Sequence, residues 1–405
     1  MRPAERPREG NPASWTQLNG CDELAPGALR TVKVRGQEAI LFRDDAGKLR
    51  MIGAHCPHLG AHLGQGRVVG GAVQCPFHHW RIDGSGCVES VPYSPRKTPK
   101  ARIQCWEVRE EPGGVAVRTV HIDGPSKAVL PPFPDGWYAL AFDTELARGP
   151  IEGSWCGRRL RLTRDRDGTA RIEVLDGGAP VELVQMQDAV FGWFDSEQTA
   201  PSFSLPRRDR AGFSRFRGHC FDGLRSHPQE TSENSVDIAH FSSVHGYTDV
   251  VELEEATADG PVLRARYGFT HRGIAIGLRG LRTEFDVELH GLGYSFVETA
   301  VPAYGMRTRQ LVLATPIGDG RIQLRISGAV RLDGVPAFLR RPTHSLIRSA
   351  LMRAYVSDVS DDLDIWEAKA YLDRPRIVAG DGPLGRYRRW ARQFYTRAAQ
   401  QAPGV

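Results

Sequence analysis

Two short loops decide the fold near the start of the chain: Cys56-Pro57-His58-Leu59-Gly60 and Cys75-Pro76-Phe77-His78. Together they form the pattern Cys-x-His, sixteen residues, Cys-x-x-His. The proline after each cysteine fixes the local backbone and removes an N–H donor. Gly60, Gly64 and Gly66 allow the main chain to approach closely whatever the four side chains hold. The pattern therefore predicts two rigid fingers that present two thiolates and two imidazoles to one metal centre.

Two kinds of metal centre use two cysteines and two histidines. In a Rieske [2Fe–2S] centre the histidines replace the cysteines on one iron, and structural zinc accepts the same set in a tetrahedron. Zinc sequences more often begin with a close cysteine pair, whereas here each half supplies one cysteine and one histidine. We therefore predict that Cys56, His58, Cys75 and His78 bind a [2Fe–2S] cluster, which transfers single electrons. The neighbouring histidines are interpreted as surface or packing residues: His55, His62 and His79.

Length and composition limit the classes of protein to consider. With 405 residues, 44 glycines and 27 prolines, the chain should form two or three domains that are turn-rich and β-heavy. No apolar run reaches the roughly 18 residues needed to cross a bilayer, and no signal-peptide pattern opens the chain. The remaining cysteines show no disulfide-framework spacing, so we expect a cytoplasmic protein. The net charge of +5 is modest, and we expect no nucleic-acid partner.

Strand and turn signals divide the chain into segments. Residues 1–13 are predicted to be a disordered polar arm. Residues 14–130 are predicted to form short strands with the two fingers between them. A proline-rich break, Leu130-Pro131-Pro132-Phe133-Pro134, ends this unit. We expect a second β segment at 133–205 and a larger C-terminal domain at 206–400.

The second β segment repeats part of the first. Residues 137–171 match residues 15–50 with one single-residue gap, at twelve identical positions where composition alone would give roughly two or three. The copy contains no Cys or His where the fingers should be. The hypothesis is a second fold of the same type that lacks its cluster-binding part. The alternative is convergence of ordinary strand-turn-strand sequences. The matched pairs are Trp15/Trp137, Leu18/Leu140, Glu23/Glu145, Leu24/Leu146, Ala25/Ala147, Gly27/Gly149, Gly36/Gly157, Leu41/Leu162, Arg43/Arg164, Asp44/Asp165, Gly47/Gly168 and Arg50/Arg171.

A second candidate metal site follows in SENSVDIAHFSSVH, residues 232–245. Residues five apart on an ideal helix point about 140° away from each other. His240 and His245 therefore converge on one ion only if the helix is bulged or ends between them. Asp237 lies three residues before His240, where it can hold an imidazole by a hydrogen bond. The alternative is that these are ordinary core or surface histidines.

Two histidines need a carboxylate to complete the facial triad of non-haem Fe(II), which leaves positions open for O₂. The candidate lies in a helix predicted from about Thr343 to Tyr371, on an inward stripe with helical spacing. An aspartate on an apolar stripe needs a partner or a metal. Asp362 is the first choice for the third ligand and Asp358 is the alternative. Asp361 and Asp364 are interpreted as surface acids.

These motifs together resemble the oxygenase (alpha) component of Rieske non-haem iron oxygenases. CPHLGAHLGQG (56–66) and CPFHHWRIDGSGCVESVPY (75–93) are similar to the cluster half of the family. ENSVDIAHFSSVH (233–245) is similar to the iron half, and DDLDIW (361–366) matches its acidic ligand stretch with Asp362. The tail YRRWARQFY, residues 387–395, is similar to the steroid-acting branch, which includes 3-ketosteroid 9α-hydroxylases and cholesterol 7-desaturases.

The resemblance implies a reaction and a set of partners. Electrons would come from an external NAD(P)H-dependent reductase or ferredoxin, pass through the cluster, and reach Fe(II) held by His240, His245 and Asp362. There O₂ would serve to hydroxylate or desaturate a hydrophobic substrate. Family members are typically homotrimers in which the cluster of one subunit serves the iron of the next. Asp237 matches the acid that bridges the two centres, and we assign it a catalytic role.

The implied fold class is α+β. It comprises an N-terminal all-β Rieske domain, a degenerate Rieske-like β segment, and a C-terminal α/β catalytic domain with an antiparallel sheet and helices in a helix-grip-like arrangement. The chain departs from the family because an intact cluster domain precedes a segment that has lost its fingers, which puts the usual electron route in doubt. The substrate pocket is expected from the sheet of residues 262–330. A steroid or sterol is the first choice, an aromatic or other hydrophobic molecule the alternative, and a non-catalytic electron-transfer protein the alternative of another class.

Overall fold

The computed structural model is mostly β, and the chain divides into two compact units. The first unit contains the chain up to Ala128 together with residues 368–380, and the second contains residues 129–367 and the chain from Asp381 onward. The predicted disordered arm at 1–13 lies outside the described residues. The structure describes residues 14–21, 23–94, 98–210, 212–270 and 280–395.

The first unit is an all-β domain built from two antiparallel sheets. Six strands form one sheet in the order β1-β10-β9-β4-β3-β2, and four short strands form the other in the order β5-β6-β7-β8. The hairpin between β2 and β3 turns at Arg35 and Gly36, which both have positive φ, as a two-residue turn requires. The strands are β1 (Thr16–Asn19), β2 (Leu29–Val34), β3 (Gln37–Arg43), β4 (Leu49–Gly53), β5 (Arg67–Val69), β6 (Ala72–Gln74), β7 (Arg81–Asp83), β8 (Val88–Ser90), β9 (Cys105–Glu111) and β10 (Gly114–His121).

A segment from far along the sequence also belongs to the first unit. Residues 368–380 were expected within the C-terminal domain at 206–400, but they pack against the first finger loop instead. Ala370 N donates to Gly60 O over 3.0 Å, and Arg376 N donates to Pro57 O over 2.9 Å. Leu372 is fully buried. Sequence periodicity could not indicate this placement, because it depends on contacts between residues about 300 positions apart.

The second unit begins with two small antiparallel sheets, ordered β11-β16-β15 and β12-β13-β14. Placed end to end as β11-β16-β15 and β14-β13-β12, they have the strand order of the six-stranded sheet, β1-β10-β9-β4-β3-β2. The difference is one break, because β15 and β14 do not pair, whereas β9 and β4 do. The Gln185 side chain bridges that break, since its amide accepts from Ala170 N and donates to Gly168 O. The elements are β11 (Gly136–Phe142), α1 (Asp143–Leu146), β12 (Ile151–Trp155), β13 (Arg158–Arg164), β14 (Ala170–Val174), β15 (Leu183–Met186) and β16 (Ala189–Phe194).

Equivalent turns in the two β segments make the same hydrogen bonds. Asp44 N donates to Lys48 O in one turn, and Asp165 N donates to Thr169 O in the other. The matched arginines repeat as well: Arg43 and Arg164 each donate to the carbonyl of the turn glycine. Arg50 and Arg171 each donate to the turn aspartate. These shared details support the duplication hypothesis, which stays a prediction, as do the boundaries 14–130 and 133–205.

The remainder of the second unit is a large antiparallel sheet with helices. Seven strands are ordered β17-β23-β22-β21-β20-β19-β18. The long helix α4 lies against β23, where Gly328 permits close approach because a Cβ there would lie 2.8 Å from Met352 Sδ. The elements are β17 (Arg217–Arg225), α2 (Pro228–Glu233), α3 (Ile238–Ser243), β18 (Thr248–Asp259), β19 (Val262–Thr270), β20 (Arg282–His290), β21 (Ser295–Val301), β22 (Met306–Gly318), β23 (Arg321–Leu332), α4 (Ala337–Ala368) and α5 (Leu384–Ala391).

This architecture confirms the α+β class, with an all-β domain first and a sheet-and-helix domain later. The helix predicted from about Thr343 to Tyr371 exists, but it begins six residues earlier and ends three residues earlier. Its start was misplaced because Pro342 lies inside the helix, where proline usually marks a boundary. Within the described ranges, no helix combines the length and the apolar character needed to span a bilayer.

Candidate metal centres

The two finger loops of the first unit are closed in the same way. Cys56 N donates to Ala61 O over 2.9 Å, and Cys75 N donates to Trp80 O over 2.8 Å. Each bond folds its loop back on itself five residues after the cysteine. Gly60 has φ +79°, and a Cβ at this position would lie 1.9 Å from Ala370 O. Glycine is therefore required in the first finger, both for its backbone conformation and for the approach of residues 368–380.

The structure brings together the four predicted cluster residues. All four are buried, and the Nδ1 atoms of His58 and His78 lie 3.2 Å apart. Two nitrogens bound to one ion at about 2 Å each lie roughly 3 Å apart, so the pair is spaced for a shared iron. Burial raises the pKa of the Cys75 thiol, but hydrogen bonds from Cys56 and from the Phe77 and His78 backbone outweigh it and lower that pKa to about 7. The thiolate form that binds metal is thus favoured.

Aromatic packing holds the first histidine of the cluster site in place. The imidazole of His58 stacks on Trp80 with ring centroids 4.5 Å apart and planes within 7°. Trp80 Nε1 in turn donates to Tyr93 Oη over 2.8 Å. Ring orientation at a metal ligand is usually fixed by such outer contacts. Trp80 and Tyr93 were not singled out from the sequence, although both lie in the quoted second finger and its extension.

Local helix geometry brings the two downstream histidines together. The helix α3 begins at Asp237, whose carboxylate caps it by accepting from His240 N over 3.2 Å. The helix ends at Ser243, two residues before His245. The chain can therefore turn His245 back toward His240, and their ring centroids lie 4.5 Å apart. A helix that ends between the two histidines was one of the two arrangements that the sequence required.

Asp362 on α4 completes a group of three. His240 Nε2 lies 3.5 Å from Asp362 Oδ1, and His245 Nε2 lies 3.7 Å from Asp362 Oδ2. The ligand atoms of the three residues all lie within 4.8 Å of one another. Two imidazoles and one carboxylate on one side of a centre are the donor set of the facial triad, which leaves the other side open.

The charge state of this trio fits a bound cation. Burial raises the pKa of Asp362 well above its usual range, and the nearby acids Asp361, Asp237 and Asp358 raise it further. Burial also lowers the pKa of His245 to about 4. A buried carboxylate without a compensating positive charge is costly, and Asp362 Oδ1 has no hydrogen-bond partner among the described residues. A divalent ion between the three side chains would supply the missing charge.

The alternative ligand, Asp358, is engaged elsewhere. Tyr247 Oη donates to Asp358 Oδ2 over 3.3 Å, and burial is the main reason that the pKa of Asp358 rises to about 6. Asp361 and Asp364 are exposed on the other side of α4, as expected. The geometry therefore favours Asp362 over Asp358 as the third ligand.

A cavity of about 200 Å³ opens beside the trio, between α4 and the sheet. Its sheet wall comes from the three stretches predicted to form the pocket, at 281–289, 294–301 and 310–317. Tyr247 and Phe269, which stack with centroids 4.3 Å apart, also line it. No sequence signal marked these two residues, because their place at the cavity depends on tertiary packing. Further residues on its walls are Phe241, Phe285, Val287, Val297, Thr299, Gln310, Val312, Leu351, Tyr355 and Trp366.

A second group in the described chain has metal-ligand composition: Glu38, His55 and His62. His62 Nδ1 accepts from Gly64 N over 3.1 Å, so in the neutral ring Nε2 carries the hydrogen. That nitrogen faces Glu38 at 3.5 Å and has no lone pair to offer an ion. The pKa of His55 is lowered to about 3, mainly by burial and next by the charge of Lys127. A nearby lysine also opposes a cation, so this group fits a metal poorly.

The sequence matches two known families along its length. Residues 14–107 match the Rieske [2Fe-2S] domain, and residues 192–395 match the 3-ketosteroid 9alpha-hydroxylase C-terminal domain. A probable 3-ketosteroid-9-alpha-monooxygenase, oxygenase component, of Rhodococcus rhodochrous is 26% identical over 96% of this chain and 81% of its own. Cholesterol 7-desaturase nvd 1 of Ciona intestinalis is 21% identical over 95% of this chain and 69% of its own.

Among solved structures, dicamba monooxygenase bound to dicamba is 14% identical to this chain. The alignment covers 95% of this chain and 97% of that one, with a TM-score of 0.35. The family assignment comes from the sequence matches, of which the C-terminal one spans about half of the chain and includes the histidine and aspartate trio. The chain therefore belongs to the 3-ketosteroid 9alpha-hydroxylase C-terminal domain family and, with the Rieske domain in front, is a Rieske non-haem iron oxygenase.

Proposed function

We propose that this oxygenase hydroxylates or desaturates a steroid or sterol. The observation that carries the proposal is the wall of the cavity beside the trio. It is mostly aromatic and aliphatic, and no Lys or Arg lines it in the described part of the chain. Its uncharged polar members are Thr231, Asn234, Ser235, Thr299 and Gln310. Its acids, Asp358 and Asp362, disfavour an anionic ligand such as a carboxylate. A neutral, rigid and hydrophobic molecule fits such walls, and the relatives named above act on 3-ketosteroids and cholesterol.

The proposed ligands of the mononuclear iron are His240, His245 and Asp362. When bound, this iron offers open coordination positions to O₂, and a Rieske cluster supplies single electrons. The protein's own part is positioning: Asp237 fixes the first turn of α3, and Tyr247 and Phe269 close one side of the cavity. The proposed ligands of the cluster are Cys56, His58, Cys75 and His78.

Electron supply and assembly complete the proposal. The oxygenase component requires a separate reductase or ferredoxin. We further propose a homotrimer in which Asp237 links the cluster of one subunit to the iron of the next, as the family resemblance implies. Light scattering on the purified protein tests the assembly, and a mass equal to a single chain would contradict it.

Product analysis tests the substrate class. The purified protein, a surrogate reductase, NADH and O₂ are incubated with a panel of neutral steroids, sterols and aromatic acids of similar size. We expect a hydroxylated or desaturated steroid product and no turnover of the aromatic acids, because the cavity wall offers a carboxylate no cation. Turnover of the acids alone would overturn the steroid proposal.

Iron content tests the proposed iron ligands. The intact protein should hold about three irons per chain, two in the cluster and one in the catalytic unit. Asp362→Ala should lower this to about two and leave the visible spectrum of the cluster intact. Glu38→Ala is the matched control, because it removes a carboxylate from the other candidate group, and it should keep all three irons. Loss of cluster and mononuclear iron together in Asp362→Ala would argue against two separate sites.

A further inference from the structure

The apolar cavity contains one uncharged polar pair on its sheet wall. Thr299 on β21 and Gln310 on β22 both line the cavity, and Thr299 Oγ1 donates to Gln310 Oε1 over 3.2 Å. Every other strand residue on that wall is apolar: Phe269, Phe285, Val287, Val297 and Val312. An amide in such a wall must satisfy its hydrogen bonds with a neighbour, with water or with a ligand.

The pair lies toward the end of the cavity that is remote from Asp362. Gln310 pairs with Gly328 on β23. A Cβ on Gly328 would lie 2.8 Å from Met352 Sδ and 3.6 Å from Leu351 Cδ2. The paired residues Gln310 and Gly328 therefore face the turn of α4 that contains Leu351. Leu351 precedes Asp362 by eleven residues, which is about 16 Å along a helix. A ligand lying along α4 would thus place one end near the trio and the other near Gln310.

Donor groups remain available at this end. The Thr299 hydroxyl satisfies Gln310 Oε1, and within the described residues this is the one hydrogen bond that the Gln310 side chain makes, so its Nε2 donors stay available. Leaving such groups unpaired beside a bound apolar ligand would be unfavourable. A ligand oxygen that accepts from them would remove this cost.

We propose that Gln310, held by Thr299, is a specificity-determining residue that binds a ketone oxygen at the end of the substrate remote from the oxidised carbon. The assignment rests on the proposed function for the nature of the hydrophobic ligand. It adds the polar group by which this protein selects one steroid from another. A carbonyl suits the site better than a carboxylate, because the available groups are neutral donors and the charged side chains on the described cavity walls are acids.

The test compares ligand binding by the intact protein with cluster and iron, without reductase, so that no turnover occurs. The probes are a 3,17-diketo steroid and its two analogues in which one carbonyl is replaced by a methylene. Calorimetry on the unsubstituted protein should show about tenfold weaker binding of one analogue, the magnitude of one lost hydrogen bond to a buried donor. Gln310→Leu should abolish that ratio by weakening the two probes that keep the recognised carbonyl, and it should leave the third unchanged.

Two further variants separate recognition from shape. Thr299→Val removes the hydroxyl that holds the amide while keeping nearly the same volume, and it should reduce the ratio in part. Val312→Leu changes the apolar wall on the same strand, and it should alter the affinities of all three probes and keep the ratio. Iron content and the cluster spectrum confirm that each variant is folded.

The outcomes distinguish this inference from the proposed function. If the unsubstituted protein discriminates between the analogues and both Gln310→Leu and Thr299→Val keep its ratio, the subsite is elsewhere and the steroid proposal stands. If the unsubstituted protein binds the diketone and both analogues equally, no ketone is recognised and the inference fails. If it binds none of the steroids, the substrate proposal fails, and the Gln310 subsite fails with it.

Discussion

Asp237 caps a helix, and it is also the residue to which we assign a catalytic role. Its carboxylate caps α3 at His240 N, and the residue is fully buried. Asparagine caps helices about as well as aspartate but carries no charge. In Asp237→Asn we expect normal iron content and a fall of about 10- to 100-fold in the rate of product formation, the usual effect of a lost outer-sphere contact.

Single-turnover kinetics with a pre-reduced cluster measure this effect. Ser242→Ala is the control. It removes a hydroxyl of the same helix, and that hydroxyl donates to Ala239 O. Loss of iron from Asp237→Asn would show that Asp237 acts by holding His240 and not in electron or proton transfer.

The proposed ligand residues could be singled out from the sequence because their spacing is itself chemical information. Cys-x-His with Cys-x-x-His, and two histidines five residues apart, each restrict the possible geometries to a few. Gln310 and Tyr247 belong to no motif with a characteristic spacing, and a glutamine or tyrosine in a strand-rich region is common. Their position at the cavity follows only from the register of strands distant in sequence.

Among the elements, the first finger and residues 368–380 depend on one glycine. Gly60→Ala would place a methyl group against Ala370 O at a backbone conformation that favours glycine. We expect loss of cluster, seen in the visible spectrum, and destabilisation beyond the roughly 1 kcal/mol that positive φ alone costs. Gly70→Ala is a matched control, because Gly70 also has positive φ but faces open space. Equal effects of the two substitutions would contradict the contact.

The helix α2 is buried on all sides, and α5 compensates its charge. Glu233 is 1% exposed and pairs with Arg388, whose Nη2 lies 3.0 Å from Glu233 Oε2. Arg388→Met would leave the Glu233 carboxylate buried without its cation, at a cost of about 3–5 kcal/mol. Urea unfolding measures this loss, and Arg389→Met, at the exposed neighbouring position, should change it little. A double variant with Glu233→Gln should recover part of the loss, and no recovery would mean that the pair is not the cause.

The elements themselves were predicted unevenly. The stripe on α4 was visible because 3.6-residue periodicity survives over a long helix. Chemistry required either a bulge or a helix end between His240 and His245, since an unbroken helix cannot bring both histidines to one ion, and the structure has the helix end. The assignment of residues 368–380 to the first unit could not be predicted. No local sequence pattern shows to which domain such a segment belongs.

At the level of the entire chain, acid stability should depend on a half-buried ion cluster in the large sheet. Glu288 lies between His290 and Arg208, and their hydrogen bonds and charges lower its pKa to about 2. Because this folded pKa is below the usual value of about 4.5, the contribution is full above pH 4.5 and is lost as the pH falls toward 2. Glu288→Gln should cost about 2–3 kcal/mol at pH 7 and clearly less at pH 3.

Urea unfolding at both pH values checks this prediction. Glu152→Gln, in an exposed pair with Arg161, is the control and should show little effect at either pH. A penalty for Glu288→Gln that stays constant with pH would show that packing, and not ionisation, accounts for it.

The order of domains was predictable in outline, and the repeat at 137–171 pointed to a second β segment. What the sequence could not show is how the copy closes without its fingers. Residues 175–182 connect β14 to β15, whereas the cluster loops lie between β4 and β9 in the first unit, and the Gln185 side chain bridges β14 and β15 in place of strand pairing.

That break between β14 and β15 has a consequence for engineering. The loop between β14 and β15 is a suitable site for inserting a new domain, because surface loops tolerate insertions well. The strand order there matches that of the first unit, in which the same position carries the cluster loops. The first unit supplies a template for the graft, since its fingers leave and re-enter an equivalent sheet at the equivalent place. An electron carrier with a different potential could be installed there without altering the cavity in which the substrate is oxidised.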